Sequence, residues 1–351
     1  MSIVESEFDN YTSEDLIAYG HRLHINTAIC FVVNALAIYC IFFHSTKSMG
    51  VYRWYLLAIQ LTTALFDFHL NMIYAPFPTL PIPGFCAAGI WSRHWGYYYG
   101  SKIQYWLTHL FLSFQGMAIL WGILYRYRVI SEKMTFMESK WATAMMFILP
   151  VIYPAPSLVI SIIGSPDKNT SLSFIQQAAP EMFHLYSTES CLSAVNSLRT
   201  SAYYLIAAGQ MTLGFSTILF FSYKTYDDLM KKKSVLSEAS FKMQKQLLFA
   251  LCLQCIVPFM MLMIPCVGLF LMVFFNVKRM KVVSMIAFQI ITIHSSANGL
   301  VLIWTIKPYR EAVIKLFCGR WVKPSVQPTR HNTVAISHIS VMEDLKRFRR
   351  V

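Results

Sequence analysis

Long apolar runs alternate with short polar segments along the chain. The runs number seven: 25–43, 54–74, 103–125, 141–163, 203–223, 247–270 and 282–306. A hydrocarbon core of roughly 30 Å needs about 20 residues of helix rising about 1.5 Å each, and every run is of that order. Each is apolar around its whole circumference rather than along one stripe, as a helix among lipid and other helices should be. The period-two alternation of a transmembrane barrel strand is missing. The pattern predicts an all-α membrane protein, a seven-transmembrane helix bundle occupying 25–306. Aromatic residues gather at the run ends, at Trp54, Tyr55, Tyr105, Trp106, Trp141, Tyr203, Tyr204 and Tyr223, where such rings sit between hydrocarbon and water.

One more segment is apolar enough to consider. Gly84 to Gly100 carries Arg93 and His94 at its middle and follows Pro76, Pro78, Pro81 and Pro83. Prolines in that number break helix, so 75–102 reads as a long external loop. An eighth span there would move the C-terminus to the opposite side.

Composition narrows the class. The 351 residues are 56% hydrophobic and 13% charged, with a net charge of +13. A soluble domain carries about 25% charged residues. An ordinary soluble enzyme, a disordered tail protein and a secreted disulfide scaffold are excluded, and a nucleic-acid binder would not be this apolar. The charge is also placed unevenly. Segments 44–53, 126–140, 224–246 and 307–351 hold 22 Lys and Arg, against 8 on the other side. The positive-inside rule then predicts an extracellular N-terminus, 1–24, and a cytoplasmic C-terminus. Asn10 and Asn169 head sequons on the predicted exterior, where they can be glycosylated. The first 24 residues carry Glu5, Glu7, Asp9, Glu14 and Asp15 without a basic start, so the first span is expected to act as a signal-anchor rather than a cleaved peptide.

The cysteines fit this orientation. Cys86 and Cys191 are the two in external loops, and an oxidising exterior favours joining them. Cys30, Cys40, Cys252, Cys255 and Cys266 fall within spans and read as packed thiols; Cys252 and Cys255 lack the second ligand pair a metal site needs. Cys318, just past the last span, is either a palmitoylation site or a plain cytoplasmic thiol.

No hydrolase, metalloprotease or nucleotide-binding motif is present. The expectation is no enzyme, no metal and no cofactor. No internal repeat is visible, which argues against a transporter. Polar residues inside spans are more informative, because each is costly in lipid. Asp67 is the one acid in any span; His69, His109 and His294 lie at outer or middle depth, with Gln104, Gln115, Ser295, Ser296 and Asn298 nearby in sequence. One reading is a ligand cavity open to the exterior. The other is interhelical hydrogen bonding that holds the bundle together. Both stand at this point.

The cytoplasmic side carries Tyr125-Arg126-Tyr127-Arg128 at the end of the third run. Its arginines either snorkel to headgroups or form a conformational latch. Pro258 and Pro265 permit kinks in the sixth run. Residues 307–321 read as an amphipathic helix along the inner leaflet, with Val313, Ile314, Phe317 and Trp321 on one face and Arg310, Lys315 and Arg320 elsewhere. Residues 322–351 read as a polar, basic, disordered tail, whose Lys346-Arg347-Phe348-Arg349-Arg350, like Lys231-Lys232-Lys233, suits anionic lipid.

Taken together, these features resemble a G-protein-coupled receptor over about residues 20–321. Asn34 is similar to the conserved Asn of the rhodopsin-like first span, and Asn298-Gly299-x-x-Leu302 to an altered N-P-x-x-Y. Arg126 aligns with the Arg of D-R-Y, although Tyr125 stands where the acid would be. Span six has Gln254-Cys255-Ile256-Val257-Pro258 without the tryptophan. A nearer resemblance is to nematode serpentine chemoreceptors of the Str superfamily, classes Srh and Sri. It rests on Tyr52-Arg53-Trp54-Tyr55-Leu56-Leu57, Asp67-Phe68-His69 before the proline series, Tyr125-Arg126-Tyr127-Arg128 and Lys307-Pro308-Tyr309-Arg310, in that order along the chain.

The resemblance implies a sensory receptor in the plasma membrane of ciliated neurons, taking a small odorant or pheromone-like ligand and signalling through a heterotrimeric G protein. The expected ligand residues are Asp67, His69, His109, Gln115, His294 and Asn298, among spans two, three, six and seven. The expected switch residues are Arg126, Arg128, Pro258, Tyr309 and Arg310. Alternatives are a ligand-gated odorant channel subunit, whose N-terminus would lie inside, and a transporter.

Overall fold

The computed structural model describes residues 9–194, 198–275, 277 and 279–319. Among them, seven helical stretches are long and apolar enough to cross a membrane: Ser13–His44, Tyr52–Ile73, Tyr97–Ser131, Lys140–Gly164, Leu198–Ser234, Glu238–Phe274 and Lys281–Thr305, here spans one to seven. Each apolar run lies within its span or misses it by a single residue. Several spans continue well past their runs, because a helix does not stop where hydrocarbon does.

Span one shows the reason most clearly. A capping box starts it: the Asp15 amide donates to Thr12 Oγ1, and the Thr12 amide donates to Asp15 Oδ2. The segment expected as an extracellular N-terminus is therefore helical from Ser13. Its first turns place Leu16, Tyr19, Gly20 and Leu23 on one face, all buried. That face packs on a small sheet through Phe77, Ile82 and Ala88. Gly20 is required there, since a Cβ would meet the Ala88 carbonyl oxygen at 2.6 Å.

The sheet is antiparallel in the order β1 (Pro76–Pro78), β2 (Gly84–Ala87), β3 (Cys191–Ser193). Two of its strands come from the expected Pro-broken loop 75–102. Pro76 and Pro78 fall on edge strand β1, which tolerates missing donors. Cys86 stands opposite Cys191 in the register, and the two form a disulfide. Arg93 ties the same region to Glu189 through Nε and Nη2, at 3.0 and 2.8 Å. Burial alone would raise the Glu189 carboxyl; the Arg93 hydrogen bonds outweigh it and hold the group below its ordinary range. Asn10 and Asn169 are exposed at this sheet-bearing end.

Five spans are irregular. Span two ends in a π-helical turn, His69–Ile73, and span three begins with one, Tyr97–Lys102. Span four is interrupted at Tyr153 and Pro154 between Lys140–Ile152 and Ala155–Gly164, because Pro154 lacks an N–H and obstructs the preceding turn. Span six runs Glu238–Pro258, then a π-helical turn, Phe259–Met263, then Ile264–Phe274. Span seven breaks at Ile293 between Lys281–Thr292 and His294–Thr305. No proline or glycine announces that last break.

The bundle core away from the sheet joins spans one, two, three, six and seven through Ile41, Leu56, Ile59, Ile123, Leu251 and Leu302. Large apolar side chains such as Phe31, Phe43, Trp141, Phe147 and Leu205 point outward, as suits a bundle whose solvent is lipid. A helix, Lys307–Cys318, follows span seven directly. Tyr309 anchors it: the side chain is fully buried and its hydroxyl lies 2.6 Å from Ser45 Oγ on the span-one side. Ile314, Leu316 and Phe317 stay exposed. Arg320, Trp321 and the expected tail 322–351 lie outside the described residues.

Candidate functional site

The buried polar residues expected to share one pocket fall into separate groups. Asp67 and His294 face each other between spans two and seven, with His294 Nδ1 3.0 Å from Asp67 Oδ1 and neither side chain more than 1% exposed. The break at Ile293 creates this arrangement. It makes His294 the first residue of a new helix, and the Ser295 amide in that first turn donates to Asp67 Oδ2 at 3.3 Å. A carboxylate at a helix start meets free N–H groups and the positive end of the dipole. Gln115 of span three completes the group, its amide nitrogen 3.1 Å from His294 Nε2.

Neighbouring groups tie span one into the same layer. Asn34 Nδ2 donates to Ser295 Oγ at 2.9 Å, and Gln60 Nε2 donates to Asn34 Oδ1. Asn71 Nδ2 donates to the Thr292 carbonyl at 2.8 Å. Asn298 is fully buried, and its amide finds no hydrogen-bond partner among the described residues. His69 stands apart: its Nε2 lies 3.1 Å from the Gln104 carbonyl and 3.2 Å from Thr108 Oγ1, linking spans two and three.

The cavity lies elsewhere, among spans three, four, five and six rather than two, three, six and seven. It measures about 220 Å³. The break in span four and the π-helical turn after Pro258 lie along its wall, while Gly116, Ala207 and Gly214 withhold side-chain volume. Of the six expected ligand residues, His109 and Gln115 line it. Asp67 and His294 do not, because each is used up by the other and by the close packing of spans two and seven. Residues not anticipated from sequence form most of the wall: Ser113, Tyr153, Ser157, Gln210, Phe215 and Met263. Their only advance signals were Pro154 and Pro258, which mark helices that cannot pack as straight cylinders.

A second, smaller hollow of about 50 Å³ opens at the sheet-bearing end, lined by Phe85, Tyr105 and Tyr203 among others. A polar cluster separates it from the larger one. The Tyr203 hydroxyl is hydrogen-bonded to His109 Nε2, Tyr105 OH lies 2.6 Å from Tyr203 OH, and His109 Nδ1 lies 3.1 Å from the Tyr105 carbonyl.

At the other end of the bundle, Arg126 is 3% exposed although it is a cation. Its Nη2 donates to the Gln244 carbonyl at 3.2 Å and to the Gln244 side-chain oxygen, and its guanidinium lies 4.8 Å from the Tyr52 ring centroid. Span three is thereby fastened to spans six and two. Arg128 is half-buried nearby. Arg310 Nη1 donates to the Trp304 carbonyl at 3.4 Å. Cys318 ends the helix after span seven.

Residues 15–319 match the family model described as serpentine type 7TM GPCR chemoreceptor Srh. No curated protein matches the chain. Squid rhodopsin shares the fold, with a TM-score of 0.62 at 14% identity, over 91% of this chain and 89% of that one.

Proposed function

The chain belongs to the Srh family of serpentine-type seven-transmembrane GPCR chemoreceptors, and on that footing we propose that it binds a small molecule in the cavity among spans three to six and activates a heterotrimeric G protein. The observation that carries this reading is the cavity itself, whose walls include the π-helical turn of span six and the break in span four. Binding acts by favouring one of two arrangements, and only to the extent that the ligand prefers it. In the arrangement described above, Arg126 holds Gln244. The active arrangement releases that bond as the ends of spans five and six move away, pivoting at Pro258, and exposes 126–140 and 224–246 to the G protein. The contacts of Tyr309 and Arg310 keep the following helix in place during that movement.

In this reading the sheet-bearing end faces the exterior, supported by the charge distribution. Asn10 and Asn169 are glycosylated there, Cys318 is a palmitoylation site, and the receptor resides in the plasma membrane of sensory cilia. Loss of glycan on Asn10→Gln, seen as a gel shift, tests the orientation; an N-terminus that is never glycosylated and stays protected from external protease would reverse it.

The functional test is an odorant panel read by calcium or cAMP in a heterologous cell, repeated on Gly116→Leu. Gly116 lines the cavity, and a Cβ there meets nothing within 4 Å, so the larger side chain fills space without disturbing its neighbours. Responses should vanish at normal surface expression. Unchanged responses to every agonist would overturn the site.

A further inference from the structure

The lining of this cavity also specifies the chemistry of what it takes, an inference that rests on the proposed binding role. We infer that the ligand is an uncharged, largely apolar molecule. Size comes first. A cavity of about 150 Å³ is enough for benzene, and ligand pockets for drug-sized molecules begin near 300 Å³. At about 220 Å³ the space suits a molecule somewhat larger than benzene and excludes a peptide.

Charge comes next. No Asp, Glu, Lys or Arg is among the lining residues. His109 has both ring nitrogens engaged, one at the Tyr105 carbonyl and one at the Tyr203 hydroxyl, so neither is left for a charged guest. The nearest acid, Asp67, sits behind Gln115 and is already paired with His294. An amine or carboxylate entering this space would lose its hydration and gain no counter-ion.

The remaining polar groups of the wall are committed. The Tyr153 hydroxyl donates to the Gln210 carbonyl, and Gln210 Nε2 donates to the Tyr153 carbonyl. Ser157 Oγ donates to the Pro154 carbonyl at 2.9 Å, and Cys255 Sγ to the Leu251 carbonyl. Gln115 is held by His294. Ser113 Oγ has no partner among the described residues, but it is buried and presents no surface to the cavity. A wall whose polar groups are committed or out of reach selects by shape and apolar area, and offers an ion nothing in exchange for its water.

The test uses the full-length receptor, purified in nanodiscs, and sets of molecules sharing one carbon skeleton but ending as ketone, ester, alcohol, carboxylate or amine. Binding is read as thermal stabilisation across linear, branched and aromatic skeletons. Uncharged members should stabilise the receptor and their charged counterparts should not. Preference for a carboxylate or amine, or failure of every uncharged member to bind, overturns the inference. Binding that survives Gly116→Leu overturns the cavity reading itself, which separates the two failures.

Discussion

Asp67 of span two lies 3.0 Å from His294 of span seven, and both side chains are sealed from solvent. A matched buried pair contributes little net stability, but removing one partner leaves the other stranded at a cost of about 3–5 kcal/mol. Asp67→Ala should therefore sharply reduce the yield of folded receptor. Asp67→Asn, which keeps size and hydrogen-bonding capacity, should be milder. A double-mutant cycle with His294→Gln on purified protein measures the coupling by thermal midpoint. Additive effects would mean the two side chains act independently.

Arg126 is the counterpart at the opposite end. Gln244 accepts from it with both its backbone carbonyl and its side-chain oxygen. Gln244→Ala removes the side-chain acceptor and leaves the buried cation half served. Because that bond fastens span three to span six, basal G-protein signalling should rise without ligand. Basal cAMP or calcium at matched surface density checks it.

The Arg93–Glu189 pair gives a pH prediction of definite sign. Glu189 is held below its ordinary range in the folded state, so the pair stabilises above the unfolded pKa, about 4.3. That contribution is lost as pH falls through the lower folded value. Hydrogen exchange in 89–102 and 189–193 should accelerate on acidification below about pH 4.3, and Glu189→Gln should remove that acid-dependent step. Acceleration on raising the pH instead would contradict the assignment.

Glycines supply a steric comparison. Gly20→Ala drives a methyl against the Ala88 carbonyl and should cost about 1–3 kcal/mol, seen as a lower thermal midpoint. Gly209→Ala and Gly268→Ala meet nothing within 4 Å. They should be neutral or stabilise by about 0.5–1 kcal/mol through helix propensity.

The seven spans were legible because hydropathy reports the one thing a lipid-facing helix cannot hide. Their ends were not, since Leu16, Tyr19 and Leu23 are spaced for packing on a sheet whose strands come from distant segments. Asp67 and His294 each stood out as polar residues in apolar runs, but their pairing depends on the break at Ile293, which no residue type signals. The cavity was least legible. It is made of space left by Gly116, Ala207 and Gly214, and such space exists only after the helices have met. Identification with the Srh class rather than Sri came from the family match over residues 15–319, not from any single motif.

The Cys86–Cys191 bond closes a loop across a sequence separation of 105, and spans three and four lie wholly inside it. The chain is thus a ring with two open arms. One backbone cut between the two cysteines leaves a single covalent molecule, whereas a cut outside them divides it. The cavity straddles that seam: two of its walls belong to the ring and two to the free C-terminal arm, so where they meet the walls are joined by packing and by the reciprocal hydrogen bonds of Tyr153 and Gln210, with no covalent bond between them.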